Sequence, residues 1–132
     1  MAYQRIQDRR EVKHLSLEQC KKLKEIGFPQ GTTNTLWYHH EDEIGDIRTD
    51  LYTDNEIENL YADTHIDAWD CPTLEELIEW LGDDIWSLLR KEPGSSFVAH
   101  NAYGALKGEG ATPLEACYNL AIAVKSPDEN PA

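Results

Sequence analysis

Two short stretches hold most of the residue types that could bind a metal or carry acid–base chemistry. Residues 38–43, YHHEDE, offer two imidazoles and three carboxylates, and residues 63–70, DTHIDAWD, offer a further imidazole and three carboxylates. Zinc, manganese and iron accept these ligand types. His39 and His40 point to opposite faces if their stretch is a strand, so one face supplies only part of a site. A metal-dependent hydrolase would then take its ligands from His39, His40, Asp63, His65 and Asp67.

The same part of the chain is strongly acidic, which favours a different function. The net charge is −13, and residues 41–84 contain 16 acidic side chains against one base, Arg48. Aromatic side chains anchor protein interfaces, and carboxylates steer basic partners towards them. The alternative interpretation is that the charge only keeps the protein soluble. We predict a surface that binds a basic protein partner, with these contributors: Asp63, Asp67, Trp69, Asp70 and Trp80.

Nucleic-acid and nucleotide binding are both disfavoured. A negative field repels phosphates, so we expect no direct DNA or RNA binding unless the basic N-terminal segment acts separately. The glycine-rich stretch GEGATPLEA, residues 108–116, lacks the Lys-Ser/Thr that completes a phosphate-binding loop and the spacing of a dinucleotide site. It is typical of a turn followed by a helix start, and no cofactor is predicted.

Cysteine usage and hydropathy both favour a cytoplasmic protein. The cysteines, Cys20, Cys71 and Cys117, are odd in number and none belongs to a CxxC pair, so neither a disulfide framework nor a zinc knuckle is indicated. We expect reduced thiols, with Cys20 and Cys117 as small core residues. The chain has no apolar region typical of a signal peptide and no apolar run long enough for a membrane span.

Three helices are predicted from their start signals. In each, a Ser or Thr is followed three residues later by Glu or Gln, so that both side chains pair with free backbone N–H groups. These capping boxes are Ser16 with Gln19, Thr73 with Glu76, and Thr112 with Glu115. The third helix is apolar around most of its circumference between Leu114 and Val124. We therefore expect the C-terminal helix to be the most buried.

Strands are predicted where aromatic and β-branched residues lie between turn residues. The four candidates are residues 35–40, 46–52, 84–91 and 96–103. Residues 41–45 and 92–96 are predicted as hairpin connections, and 53–72 as loop with a short strand or helical turn. The predicted fold is α+β: an antiparallel sheet of about four strands with three helices, in one domain over residues 15–125. Residues 1–14 and 126–132 are predicted to be flexible.

The order of these elements repeats along the chain. Both halves, Ser16 to Tyr52 and Thr73 to Tyr103, have a capped helix, a glycine and two predicted strands. This pattern is compatible with an internal duplication, and the alternative is that short units of this kind recur by chance in α+β domains.

Taken in order, the motifs resemble those of a group of small uncharacterised proteins of phages and prophage-like elements. The matching residues are SLEQCKKLKEIG at 16–27, WY at 37–38, PTLEELIEWLG at 72–82 and TPLEA at 112–116. This resemblance implies a mobile-element origin and carries no catalytic residue. Residues 97–124 are also similar to the strand, glycine turn and helix of HicB-type antitoxins, which implies a small RNase as partner.

Overall fold

The computed structural model of the chain describes residues 14–60, 64–91, 96–101 and 104–125. Helices and antiparallel strands confirm the predicted α+β class. The described strands number six rather than about four, and they form two three-stranded sheets rather than one. The chain divides into two compact units. The first comprises the described residues up to Glu25 together with Pro29–Pro72, and the second comprises Ile26–Phe28 and the described residues from Thr73 onwards.

The first unit combines a three-stranded sheet with two helices. Its elements are α1 (Leu17–Glu25), β1 (Thr35–Glu41), β2 (Ile47–Thr53), α2 (Asp54–Glu58) and β3 (Thr64–Asp70). The first strand in sequence, β1, lies in the centre of the sheet and pairs antiparallel with β2 on one side and with β3 on the other. The edges of this sheet are therefore β2 and β3.

Side-chain caps explain where both helices of the first unit begin. The Ser16 hydroxyl accepts the Gln19 N–H at 3.2 Å, and the Gln19 side chain accepts the Ser16 N–H at 2.8 Å, as predicted. Thr53 and Glu56 form the same reciprocal pair before α2. That box was not predicted, although its sequence has the same spacing. Residues 53–72 thus hold a short helix and a full strand, β3, where loop with a short strand or helical turn was expected.

The second unit combines a three-stranded meander with two α-helices. Its elements are α3 (Leu74–Leu81), a 3-10 turn (Gly82–Asp84), β4 (Ser87–Lys91), β5 (Ser96–His100), β6 (Lys107–Gly110) and α4 (Pro113–Lys125). β5 lies between β4 and β6, so strands that follow each other in sequence are neighbours. The strand predicted from residue 84 begins only at Ser87, because the 3-10 turn occupies the residues before it.

The glycine-rich stretch forms strand β6 where a turn was predicted. Gly108 pairs with Ala99 and Gly110 with Phe97. A Cβ on either glycine would lie under 3.0 Å from backbone atoms of α4. The glycines are therefore needed for the close approach of strand and helix, which places α4 directly on the sheet.

Helix α4 carries the largest set of buried side chains among the described helices, as predicted. The Thr112 hydroxyl accepts the Glu115 N–H at 3.1 Å, which is the Thr112 half of the predicted capping box. The buried side chains of α4 are Ala116, Cys117, Tyr118, Leu120 and Ala121. α1 and α3 each bury two.

Some predictions fall on residues beyond those described. They are the two flexible segments, 1–14 apart from His14 and 126–132, and most of the connection 92–96. Within the described part of the chain, no helix has the length and apolar character that a membrane span requires.

Candidate functional site

The two histidines of β1 lie on opposite faces of the sheet, as strand geometry predicts. His39 Nδ1 is 2.6 Å from the Thr49 hydroxyl, and its ring centroid is 6.4 Å from that of Trp69. His40 stacks on Tyr38 at a centroid distance of 4.9 Å and is 1% exposed. The His40 ring is therefore buried, whereas the His39 ring on the other face is partly exposed.

A chain of hydrogen bonds joins the buried His40 to an exposed carboxylate. Its Nε2 lies 3.3 Å from the Tyr52 hydroxyl, which donates to Oδ2 of Asp50 at 3.3 Å. The Tyr52 hydroxyl thus links the His40 ring to the Asp50 carboxylate. The His40 ring is thereby held in the packing between β1 and β2.

The described members of the predicted metal set do not converge. His39 pairs with Asp67 across the strands, and His40 pairs with His65. Cross-strand partners share a face, so the two pairs lie on opposite faces of the sheet. Asp63, the fifth member, lies outside the described residues. Across the ranges that the structure describes, no three His, Cys, Asp or Glu side chains are grouped to hold a metal ion.

Asp70 was predicted to lie on the partner-binding surface, and the structure places it in the interior instead. The residue is 3% exposed. Its carboxylate accepts the backbone N–H groups of Gly31 at 3.0 Å, Thr32 at 2.8 Å and Thr33 at 3.0 Å. A buried carboxylate is tolerated when hydrogen bonds replace its water shell. Asp70 therefore anchors the loop before β1 and is not available to a partner.

Asp67 and Trp69 are engaged by lysines of α1. Lys24 Nζ is 3.2 Å from Asp67 Oδ1, and the ammonium groups of Lys21 and Lys24 lie 5.0 and 5.8 Å from the Trp69 ring centroid. The N–H of Ala68, followed by Lys24, lowers the pKa of Asp67 below its usual value. Lysines of the same unit therefore supply here the positive charge that we expected a basic partner to supply.

Trp80 is likewise engaged within its own unit, the second. Its ring meets Phe28 edge-on at a centroid distance of 5.0 Å, and Lys125 Nζ lies 5.0 Å from its centroid. Lys125 also pairs with Asp84 at 3.1 Å. Of the five predicted contributors, Asp63 lies beyond the described residues, Asp70 is buried, and the other three contact side chains of their own unit.

The turn between β1 and β2 presents a different surface. Asp42 donates its N–H to the Asp46 carbonyl at 2.8 Å, and Asp42 Oδ1 accepts the N–H groups of Ile44 and Asp46 at 3.1 and 2.9 Å. Gly45 has a φ of 90°, which a turn of this kind requires. The predicted hairpin connection is thus confirmed, and Asp42 fixes the conformation of its tip.

Three isoleucines are exposed at this end of the sheet. Ile44 is 82% exposed, Ile47 62% and Ile66 45%. Ile47 lies opposite Glu41, which in turn lies opposite Thr64 at the start of β3. We name this region the hairpin-end surface, and its residues are Glu41, Asp42, Glu43, Ile44, Asp46, Ile47 and Ile66.

The sequence contains a partial signal for this surface that was not used. In EDEIGDI, residues 41–47, Ile44 lies among acids in a tight connection, from which a side chain cannot reach the core, and Ile47 follows at the start of the next strand. Ile66 has no comparable signal. Its strand is paired through a register shift between His39 and His40, and such a bulge is a property of the paired sheet.

Comparison with models of protein families, with curated proteins and with solved structures found no match to this chain. Its function is therefore inferred from the residues and their geometry.

Proposed function

We propose that the protein is a binding protein that docks a basic protein partner through the hairpin-end surface. The observation that carries the proposal is the exposure of Ile44 and Ile47 within a group of carboxylates. Exposed isoleucines supply the apolar contact of an interface, and the surrounding charges select the sign of the partner.

The charge of this region supports a basic partner. Residues 41–60 contain eight carboxylates and a single base, Arg48. Opposite charge on a partner accelerates diffusional encounter, and the effect weakens as salt shortens the range of the field. A basic protein that normally binds nucleic acid fits this chemistry, because its positive surface attracts carboxylates as it attracts phosphates. The resemblance to phage and prophage proteins suggests a host protein in that role.

The isoleucines support affinity. Burying an aliphatic side chain of this size in an interface contributes about 2 kcal/mol. The turn that carries Ile44 is held by the Asp42 carboxylate before any partner arrives. A surface that is already ordered loses less conformational entropy on binding.

Solubility alone does not account for the hairpin-end surface. Carboxylates keep a protein soluble, whereas exposed isoleucines at one end of a sheet oppose solubility and commonly mark interaction sites. The combination of both in one place favours a contact with another protein.

The test is binding by matched variants of the full chain. A basic protein captured from a host lysate is purified, and its association is followed at low and at high salt. Ile44→Ser with Ile47→Thr is expected to weaken binding at least tenfold, chiefly through faster dissociation. Glu43→Gln with Asp46→Asn is expected to slow association and to reduce its salt dependence. Asp42 is kept in both variants because it holds the turn.

Two control variants carry the same chemical changes in the second unit. Glu75→Gln with Glu79→Gln removes two exposed charges of α3, and Leu89→Ser removes an apolar side chain that is 54% exposed. Both should bind as the unchanged protein does. The proposal fails if the controls lose as much affinity as the hairpin variants, or if the hairpin variants bind normally. Capture of a small basic ribonuclease would additionally agree with the HicB-like resemblance.

A further inference from the structure

Two of the three cysteines meet in the core of the first unit. Cys20 on α1 and Cys71 immediately after β3 are both 0% exposed, and both are free thiols. Their sulfurs point to one acceptor: Cys20 Sγ is 3.9 Å and Cys71 Sγ is 3.6 Å from the carbonyl oxygen of Leu15. Because both sulfurs lie against that one oxygen, the two side chains occupy the same part of the core.

The environment distinguishes the two sulfurs. The neighbouring Cys71 thiol, followed by burial, raises the pKa of the Cys20 thiol above its usual value. Cys20 therefore keeps its proton. We therefore assign the first attack on an oxidant to the other sulfur of the pair, that of Cys71.

We propose that Cys20 and Cys71 are a reversible dithiol–disulfide pair that hydrogen peroxide oxidises. This modification site goes beyond the proposed function and does not use the hairpin-end surface. A peroxide is the fitting oxidant because it is little larger than water, whereas a bulky disulfide has no access to sulfurs without exposed surface.

The reaction balances without any further reactant. The Cys71 sulfur attacks one peroxide oxygen, the O–O bond breaks, and a sulfenic acid and one water are formed. The Cys20 sulfur then attacks the sulfenic sulfur, its proton leaves with the hydroxyl group as a second water, and the S–S bond forms. Two thiols are oxidised and one peroxide is reduced to two waters. A dithiol reductant restores both thiols.

The bond would connect α1 to the residue that follows β3. It closes a loop of about 50 residues, and such a cross-link restricts the unfolded chain. We expect the midpoint of thermal unfolding to rise by about 10 °C on oxidation. Cys117 is the matched comparison: it is equally buried but lies on α4 of the second unit, where burial raises its pKa to about 11.

The experiment treats the full chain with hydrogen peroxide, unfolds it without reductant, blocks free thiols and maps the peptides by mass spectrometry. We expect a cross-linked pair of peptides containing Cys20 and Cys71, a mass loss of two hydrogen atoms, and a blocked Cys117. Cys117→Ser should form the same cross-link and show the same rise in the unfolding midpoint. Cys71→Ser should form no intramolecular cross-link, and dithiothreitol should reverse the reaction in the unchanged protein.

The peptide map of the unchanged protein tests the Cys20–Cys71 disulfide even if a cysteine variant does not fold. The proposal is overturned if Cys20 and Cys71 are both recovered as blocked thiols after treatment. It is also overturned if oxidation stops at a sulfinic acid, or if the cross-link involves Cys117 or a second molecule.

Discussion

The two units use the same kinds of element but are stabilised in different ways. The first has polar groups in its interior: the buried His40 ring, which contacts the Tyr52 hydroxyl, and the Asp70 carboxylate, which accepts N–H groups of a loop. The second is closed by a helix that packs on glycines, with Gly108 in contact with the backbone of α4. The first unit therefore depends on hydrogen bonds to buried polar groups, and the second on the absence of a side chain at Gly108. We expect loss of a polar group to be costly in the first unit, and gain of a methyl group to be costly in the second.

The sheet orders differ as well, although both units begin with a capped helix and two strands. The third strand joins the first strand in the first unit and the second strand in the second unit. The repeated sequence pattern therefore does not extend to the topology of the sheets. A local pattern determines which elements form, and long-range pairing determines how they are ordered.

The exposed apolar residues also have opposite surroundings in the two units. In the first they lie among carboxylates at the hairpin-end surface. In the second, Leu89 on β4 is 54% exposed and is followed in sequence by the exposed bases Arg90 and Lys91. A partner selected by charge should therefore discriminate between the two, which is why Leu89→Ser serves as a control for binding.

Loss of the Asp70 carboxylate should have the largest effect on stability. Asp70→Ala leaves three backbone N–H groups without their acceptor, and we expect a loss of about 3 kcal/mol in the free energy of unfolding. Chemical denaturation measures it. Asp67→Ala, on the same strand but half exposed, should cost under about 1 kcal/mol. Equal losses for the two variants would contradict a polar interior as the basis of the first unit.

A methyl group at Gly108 tests the basis of the second unit. Its Cβ would overlap backbone atoms of α4, so we expect Gly108→Ala to cost about 2 kcal/mol through overpacking. Gly31→Ala is the control, because Gly31 has a φ of 81° but open space around it, and strain alone should cost about 1 kcal/mol. If Gly108→Ala is the milder change, β6 and α4 do not approach as described.

The smallest expected effect concerns the pair that covers Trp69. The folded pKa of Asp67 is lowered, so its ionised form stabilises the protein above the unfolded pKa near 3.8, and this contribution is lost as the pH falls through the folded pKa. Both side chains are about half exposed and solvent screens them. Asp67→Asn should cost about 0.5 kcal/mol at neutral pH and nothing in acid.

Thermal unfolding across this pH range measures the difference between Asp67→Asn and the unchanged protein. Glu79→Gln, which removes an exposed charge from α3, is the control. A difference that grows towards acid pH would have the wrong sign for a lowered pKa.

Much of the candidate site depended on information that a single sequence does not display. Trp69 and Trp80 were predicted to be interface anchors from their residue type alone. Their contacts with lysines of the same unit depend on how the helices and strands pack, which the sequence does not display. Asp70 has the same residue type as its exposed neighbours in sequence, and only the position of the loop 31–33 distinguishes it. Ile44 could have been found, because an apolar residue in a tight acidic turn has no route to a core.

The amino-acid sequence by itself determined the helix starts at Ser16, Thr73 and Thr112, the turn after β1 and the acidic character of the middle of the chain. These features depend on residues three or four positions apart, and their hydrogen bonds form within one segment. The tertiary structure alone decided the order of the strands, the burial of Asp70, the meeting of Cys20 with Cys71 and the exposure of Ile66. Each of these features depends on residues that are distant along the chain. Such contacts are set by the packing of whole elements, which short-range sequence patterns do not determine.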